Sequence, residues 1–126
     1  MVLDIERIDP DQLPAEPAIS AITLAELAAG PQASDDPDER ARRQERLQRV
    51  EATFDPLPFG TNAARAYGRI YAAVAAAGRK ARGRRAVDLL IAAVALAEGL
   101  PLYTRNPDDF AALEDIIEVV ALDIDP

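Results

Sequence analysis

The sequence contains no cysteine and no histidine. Without cysteine there are no disulfides, no thiolate metal sites and no thiol nucleophile. Without histidine, the common zinc sites lose their ligand, and serine–histidine and cysteine–histidine catalysis lose their base. Tryptophan is also absent, and aromatic residues make up only 5% of the chain. No apolar run approaches the roughly 20 residues needed to cross a bilayer. The longest, Leu89 to Ala97, reads as a buried helix. Met1–Arg7 lacks the apolar core of a signal peptide. A cytoplasmic protein with no membrane association is expected.

What remains is an aliphatic, acidic chain. Of its 126 residues 49% are hydrophobic, mostly Ala, Leu, Ile and Val, which suits one helix-rich domain with a small sheet. The net charge is −8, which argues against a passive nucleic-acid coat. Any catalysis must rest on carboxylates, and these recruit a hard divalent cation. The basic residues are clustered: Arg40, Arg42, Arg43, Arg46 and Arg49 form one group, and Arg79, Lys80, Arg82, Arg84 and Arg85 another. Local positive patches of this kind leave an RNA substrate open.

Periodicity and punctuation outline the elements. Residues 5–17, rich in Asp, Pro and Glu, read as a loop, and Pro17–Ile22 as a buried strand. Thr23 starts a helix that Gly30-Pro31 stops. A charged surface helix runs from about Asp38 to Thr53, with Leu47 and Val50 among its few apolar residues. Phe54–Phe59 carries two prolines and reads as an edge strand or linker. A helix from Thr61 or Asn62 to Gly78 places Ala63, Ala66, Tyr67, Ile70 and Val74 on one face. Arg79–Arg85 reads as a basic loop, Ala86–Glu98 as a central helix apolar all round, and Gly99 as its stop. A strand over Leu100–Thr104, a short helix from Asn106-Pro107 to about Leu113 and a strand over Ile116–Leu122 complete the chain. The alternation predicts an α/β sandwich with a parallel sheet.

Three acidic positions share one layout, at or near a helix start that follows a strand or loop: Glu26, Asp88 and Asp108–Asp109. In open parallel sheets ligands bind beyond the carboxyl ends of the strands, where helices begin. Acids converging there favour a cation, because they cannot all stay ionised without one. Each position also has a purely structural explanation. Thr23-Leu-Ala-Glu26 forms a capping box, Asp88 suits a helix dipole, and Asn106-Pro107-Asp108-Asp109 is an ordinary helix start. The first basic group interleaves with Asp38, Glu39, Glu45 and Glu51, as a salt-bridged solvent face does. The second has no acids within it and precedes Asp88, which suits contact with a polyanion.

At these residues the sequence resembles the VapC toxins of the PIN-domain family. Ile19-Ser-Ala-Ile-Thr-Leu-Ala-Glu-Leu27 is similar to that family's second acidic motif. Asp88-Leu-Leu-Ile-Ala-Ala-Val-Ala-Leu96 is similar to its third, and Leu102-Tyr-Thr-Arg-Asn-Pro-Asp-Asp-Phe110 to its fourth. The order and spacing agree over nearly the whole chain. The resemblance implies a three-layer α/β/α sandwich with a small parallel sheet over residues 1–126. It implies RNA cleavage dependent on Mg²⁺ or Mn²⁺, a homodimer and a cognate VapB-type antitoxin. By position, Glu26 and Asp88 would hold metal. Asn106 stands where many members have Asp, so Asp109 would supply the missing carboxylate, and Thr104 would be the small hydroxyl residue beside the site. Arg79, Lys80, Arg82, Arg84 and Arg85 would contact RNA.

The N-terminus departs from the pattern, which begins with a strand ending in Asp and then a helix. Two alignments fit. Asp4 ends the first strand and the following helix is deleted, or Val2–Arg7 matches the end of that helix and the central strand is missing with its acid. The second is preferred, because three residues are short for a strand. It implies a domain shortened at its N-terminus. A nuclease is the leading expectation. A weakly catalytic protein that keeps an antitoxin-binding surface is the alternative, and a phosphohydrolase with Asp4 as nucleophile ranks last.

Overall fold

The computed structural model describes residues 2–4, 18–79 and 84–121, with backbone alone for Val2–Asp4 and Arg84. The expected loop over residues 5–17 lies outside the described residues. Strand β1 is Val2–Asp4 and β2 is Ala18–Ile19. Helix α1 is Ala21–Ala29, extended by a 3₁₀ turn over Gly30–Ala33. Helices α2, Pro37–Thr53, α3, Thr61–Ala76, and α4, Arg84–Glu98, follow. The chain continues through β3, Leu102–Thr104, a 3₁₀ helix over Pro107–Leu113, and β4, Val119–Ala121.

The four strands are all parallel, in the order β2-β1-β3-β4. This corrects the preferred N-terminal alignment. Val2–Asp4 is the central strand rather than the end of a helix, with Leu3 in register with Ile19 on one side and Tyr103 on the other. Three residues suffice here because both neighbours hydrogen-bond to the same short stretch, and cross-strand pairing rather than length stabilises it. The expected Pro17–Ile22 strand is shorter than read, because Ser20 already caps α1. Phe54–Phe59 acts as the expected edge: Leu57 bridges Ser20, and its N–H donates to the Ile19 carbonyl at 2.8 Å.

Two apolar layers sandwich the sheet. Leu102 joins Ile70, Val74, Leu89, Ile91, Phe110 and Leu113 in the larger core, between the sheet, α4 and α3. Tyr103, the next residue, packs with Ile19, Val50 and Phe54 in the smaller core under α2, as the alternation of strand side chains requires. The run Leu89–Ala95 is almost wholly buried, because α4 meets the sheet on one side and α3 on the other. Burial of each large aliphatic side chain there contributes about 1.5–3 kcal/mol. Gly78 and Gly99 stop α3 and α4 as expected. Both adopt positive φ, and the following N–H groups close back onto Val74 and Ala95, the glycine-favouring helix end.

Candidate active site

Ser20 alone separates β2 from α1, so α1 begins at the carboxyl edge of the sheet. Helix α4 runs into β3 through three residues, so its first turns lie at that same edge. The turn after β3 emerges there too. Four polar or charged residues are buried among the described residues: Ser20, Thr23, Asp88 and Thr104. All four lie at this one edge. Buried polar groups carry a desolvation cost that an apolar residue would avoid, so their concentration marks a site.

Asp88 is 7% exposed. It sits two residues further into its helix than the sequence suggested, because α4 starts at Arg84 and its first turn contains no acid. The helix-dipole explanation is correspondingly weaker, since that effect fades beyond the first turn. Thr104 ends β3 fully buried, and its hydroxyl accepts the Asn106 N–H at 3.0 Å. Asp4 ends β1 in register with Thr104, which brings the first acid in the chain to the same edge.

The capping box at Thr23–Glu26 is corrected. The cap is Ser20, whose Oγ accepts the Thr23 N–H at 3.1 Å and lies 3.2 Å from Thr23 Oγ1. Glu26 is therefore beyond the first turn of α1, half-buried and not a capping residue. Sequence reasoning missed Ser20 as a buried polar residue of this edge. The available signal was a serine directly after a β-branched run, the standard preference for an N-cap.

Asn106 precedes the 3₁₀ helix without a side-chain capping bond, and its carbonyl accepts the Asp109 N–H at 3.1 Å. Asp109 lies at the rim, with its side chain 47% exposed. Arg85 Nη1 donates to the Asp109 carbonyl at 2.8 Å, and Nη2 lies 3.8 Å from Oδ1. Arg79 Nη1 donates to the Asp108 carbonyl at 3.2 Å. Of the other expected RNA contacts, Lys80 and Arg82 lie outside the described residues, and Arg84 is the first residue of α4 rather than part of a loop.

Residues 4–116 match the profile of the family described as PIN domain. The chain belongs to the PIN-domain family. The chain is 39% identical to the ribonuclease VapC5 of Mycobacterium tuberculosis over 113 residues, 90% of this chain and 80% of the relative. Among solved structures it is similar to VapBC-5 of Mycobacterium tuberculosis, a member of the VapBC family of toxin–antitoxin systems. The TM-score is 0.80 and the identity 38%, covering 96% of this chain and 97% of that one. It is also similar to VapBC2 of Rickettsia felis bound to a DNA fragment from their promoter, with a TM-score of 0.67 and 28% identity over 85% and 75% of the two chains. The helical PIN domain with its small parallel sheet is thus the fold the sequence predicted.

The candidate donors expected from the sequence at this edge all offer oxygen: carboxylates at Asp88, Glu26 and Asp109, the Asn106 amide and the Thr104 hydroxyl. That chemistry fits a hard cation such as Mg²⁺ or Mn²⁺. Among the described residues, no group of three or more acidic side chains lies close enough together to hold an ion. The backbone of Asp4, in register with Thr104, ends β1 at the same edge. No described helix is long and apolar enough to cross a membrane.

Proposed function

We propose that this protein is a Mg²⁺- or Mn²⁺-dependent endoribonuclease, the toxin of a toxin–antitoxin pair neutralised by a VapB-type antitoxin. The observation that carries the reading is the gathering of buried Asp88 and Thr104 with the end of β1 at one sheet edge, in a chain similar to VapC5 over most of its length. Asp88 and Asp4 would hold the cation, with Glu26 and Asp109 completing the charge. A bound divalent ion supplies Lewis acidity for attack by water on the phosphodiester and neutralises charge on the phosphate. Thr104 orients the Asn106–Asp109 turn through the Asn106 N–H. The basic segment around Lys80, Arg82 and Arg84 meets the RNA backbone, where Lys and Arg side chains hold phosphates. The protein acts in the cytoplasm as a homodimer.

The test is cleavage of a hairpin RNA pool by the purified chain with Mg²⁺, beside an EDTA control and the Asp88→Asn variant. Cleavage that is lost in both and restored to the wild type by added Mg²⁺ or Mn²⁺ supports the reading. Cleavage that persists in EDTA or in Asp88→Asn sinks it. Tight antitoxin binding without cleavage supports the weakly catalytic alternative.

A further inference from the structure

Two arginines flanking the basic segment converge on one short turn. Arg79 donates to the Asp108 carbonyl from just beyond α3, and Arg85 to the Asp109 carbonyl from the start of α4. The same turn is held from within by the bond from the Asn106 N–H to Thr104 Oγ1 and by that from the Asp109 N–H to the Asn106 carbonyl. Arg85 also lies three residues before Asp88 on α4, a spacing that stacks side chains on neighbouring parts of one helical face. One guanidinium therefore connects the helix that carries the buried acid to the turn that carries the rim acid. Its Nη1 engages the main chain of Asp109, and its Nη2 approaches the side-chain oxygen.

We infer that Arg85, assisted by Arg79, is a positioning residue. It fixes the Asn106–Asp109 turn against α4 and so sets where the Asp109 carboxylate stands relative to Asp88. The inference rests on the ribonuclease reading, and it reassigns these two arginines from RNA phosphate contact to a role acting through Asp109. The two roles differ in what they predict. A phosphate contact contributes to substrate affinity and to its salt dependence. A residue that orients a metal-binding acid contributes to turnover and to ion affinity.

The experiment compares wild type with Arg85→Ala, Arg85→Lys and Arg79→Ala. It measures cleavage of a hairpin RNA pool across Mg²⁺ and salt concentrations, calorimetric titration with Mn²⁺, and amide hydrogen exchange at Asp109 and Phe110. In Arg85→Ala, kcat falls by about 10- to 100-fold and Mn²⁺ binding weakens. RNA KM stays within about twofold and the salt slope is unchanged, because no phosphate contact is lost. Exchange at Asp109 accelerates. Arg85→Lys does not restore kcat, because an ammonium lacks the planar fork that reaches two oxygens. A rise in KM and a salt slope shallower by about one, with kcat intact, identify a phosphate contact and overturn the inference. Unchanged exchange at Asp109 or unchanged Mn²⁺ affinity also overturns it. A wild type that cuts no RNA refutes the ribonuclease reading alone, and exchange and calorimetry still decide the role of Arg85. If Arg85→Ala does not fold, Arg79→Ala, at an exposed position, carries the exchange test. Faster exchange at Asp109 supports the inference, and an unchanged rate overturns it.

Discussion

Asp88 places a carboxylate where water hardly reaches, one turn inside the helix that runs the length of the core. A buried acid at such a position is costly for folding alone, and an alanine or leucine would continue the apolar run that follows. Asn has nearly the same shape without the charge. Replacement by Asn is therefore expected to leave the far-ultraviolet circular dichroism native while lowering kcat by about 100-fold or more, the equivalent of about 2.7 kcal/mol of barrier. A comparable collapse of both signals would make Asp88 a folding residue instead. Ser20 is the opposite case, a buried polar residue with an evident structural task. Its Oγ accepts the Thr23 N–H at the start of α1. Ser20→Ala removes that acceptor and is expected to cost about 1–2 kcal/mol, read as a melting point several degrees lower.

At the scale of the element, α2 shows how a charged helix is held without a large apolar face. Asp36 caps it, Pro37 opens it, and Leu47 and Val50 are its buried anchors. Arg43 Nη1 donates to the Gly30 carbonyl and Arg40 Nε to the Pro31 carbonyl, so two arginines of this salt-bridged face also brace the end of α1. Glu39 accepts hydrogen bonds from both Arg42 and Arg43. These bonds hold its carboxyl below the usual glutamate range. A lowered folded-state value means that the stabilisation is present at neutral pH and is lost as acid protonates Glu39 through that lowered value. The stability difference between wild type and Glu39→Gln, followed by helicity at 222 nm during denaturation, is expected to shrink to nothing on acidification. A difference that grows as the pH falls contradicts the sign. For a pair at the protein surface the effect is small.

For the whole molecule, the net charge of −8 and the proposed gathering of acids at one sheet edge have a joint consequence. Self-repulsion within an acidic edge opposes the compact state, and a cation that binds the folded chain alone relieves it. Mg²⁺ is expected to raise the melting temperature in a concentration-dependent way, approaching about 2.7 kcal/mol of stabilisation at a hundredfold excess over its dissociation constant. Asp88→Asn is expected to abolish that rise while responding like wild type to added NaCl. An equal response of both proteins to Mg²⁺ would assign the effect to general screening.

The sequence by itself determined the helices, their stops and the family. The Ala63–Val74 face of α3, the all-round apolar run of α4 and the glycines at 78 and 99 are local patterns, and the chain follows them. The pattern Thr104-Arg-Asn-Pro-Asp-Asp-Phe110 fixed the turn and the short helix after β3 for the same reason. What only the tertiary structure decided rests on partners distant along the chain. Three residues cannot declare themselves a strand, and Val2–Asp4 became one because β2 and β3 pair with it from both sides. Ser20 rather than Thr23 became the cap because Leu57 bridges Ser20 at the sheet edge, ending β2 at Ile19. Arg79 and Arg85 looked unpaired because the basic run has no acid within it, yet their acceptors are main-chain carbonyls 29 and 24 residues away. A carbonyl is offered by every residue, so side-chain identities cannot announce which one a guanidinium will find, and packing makes that choice.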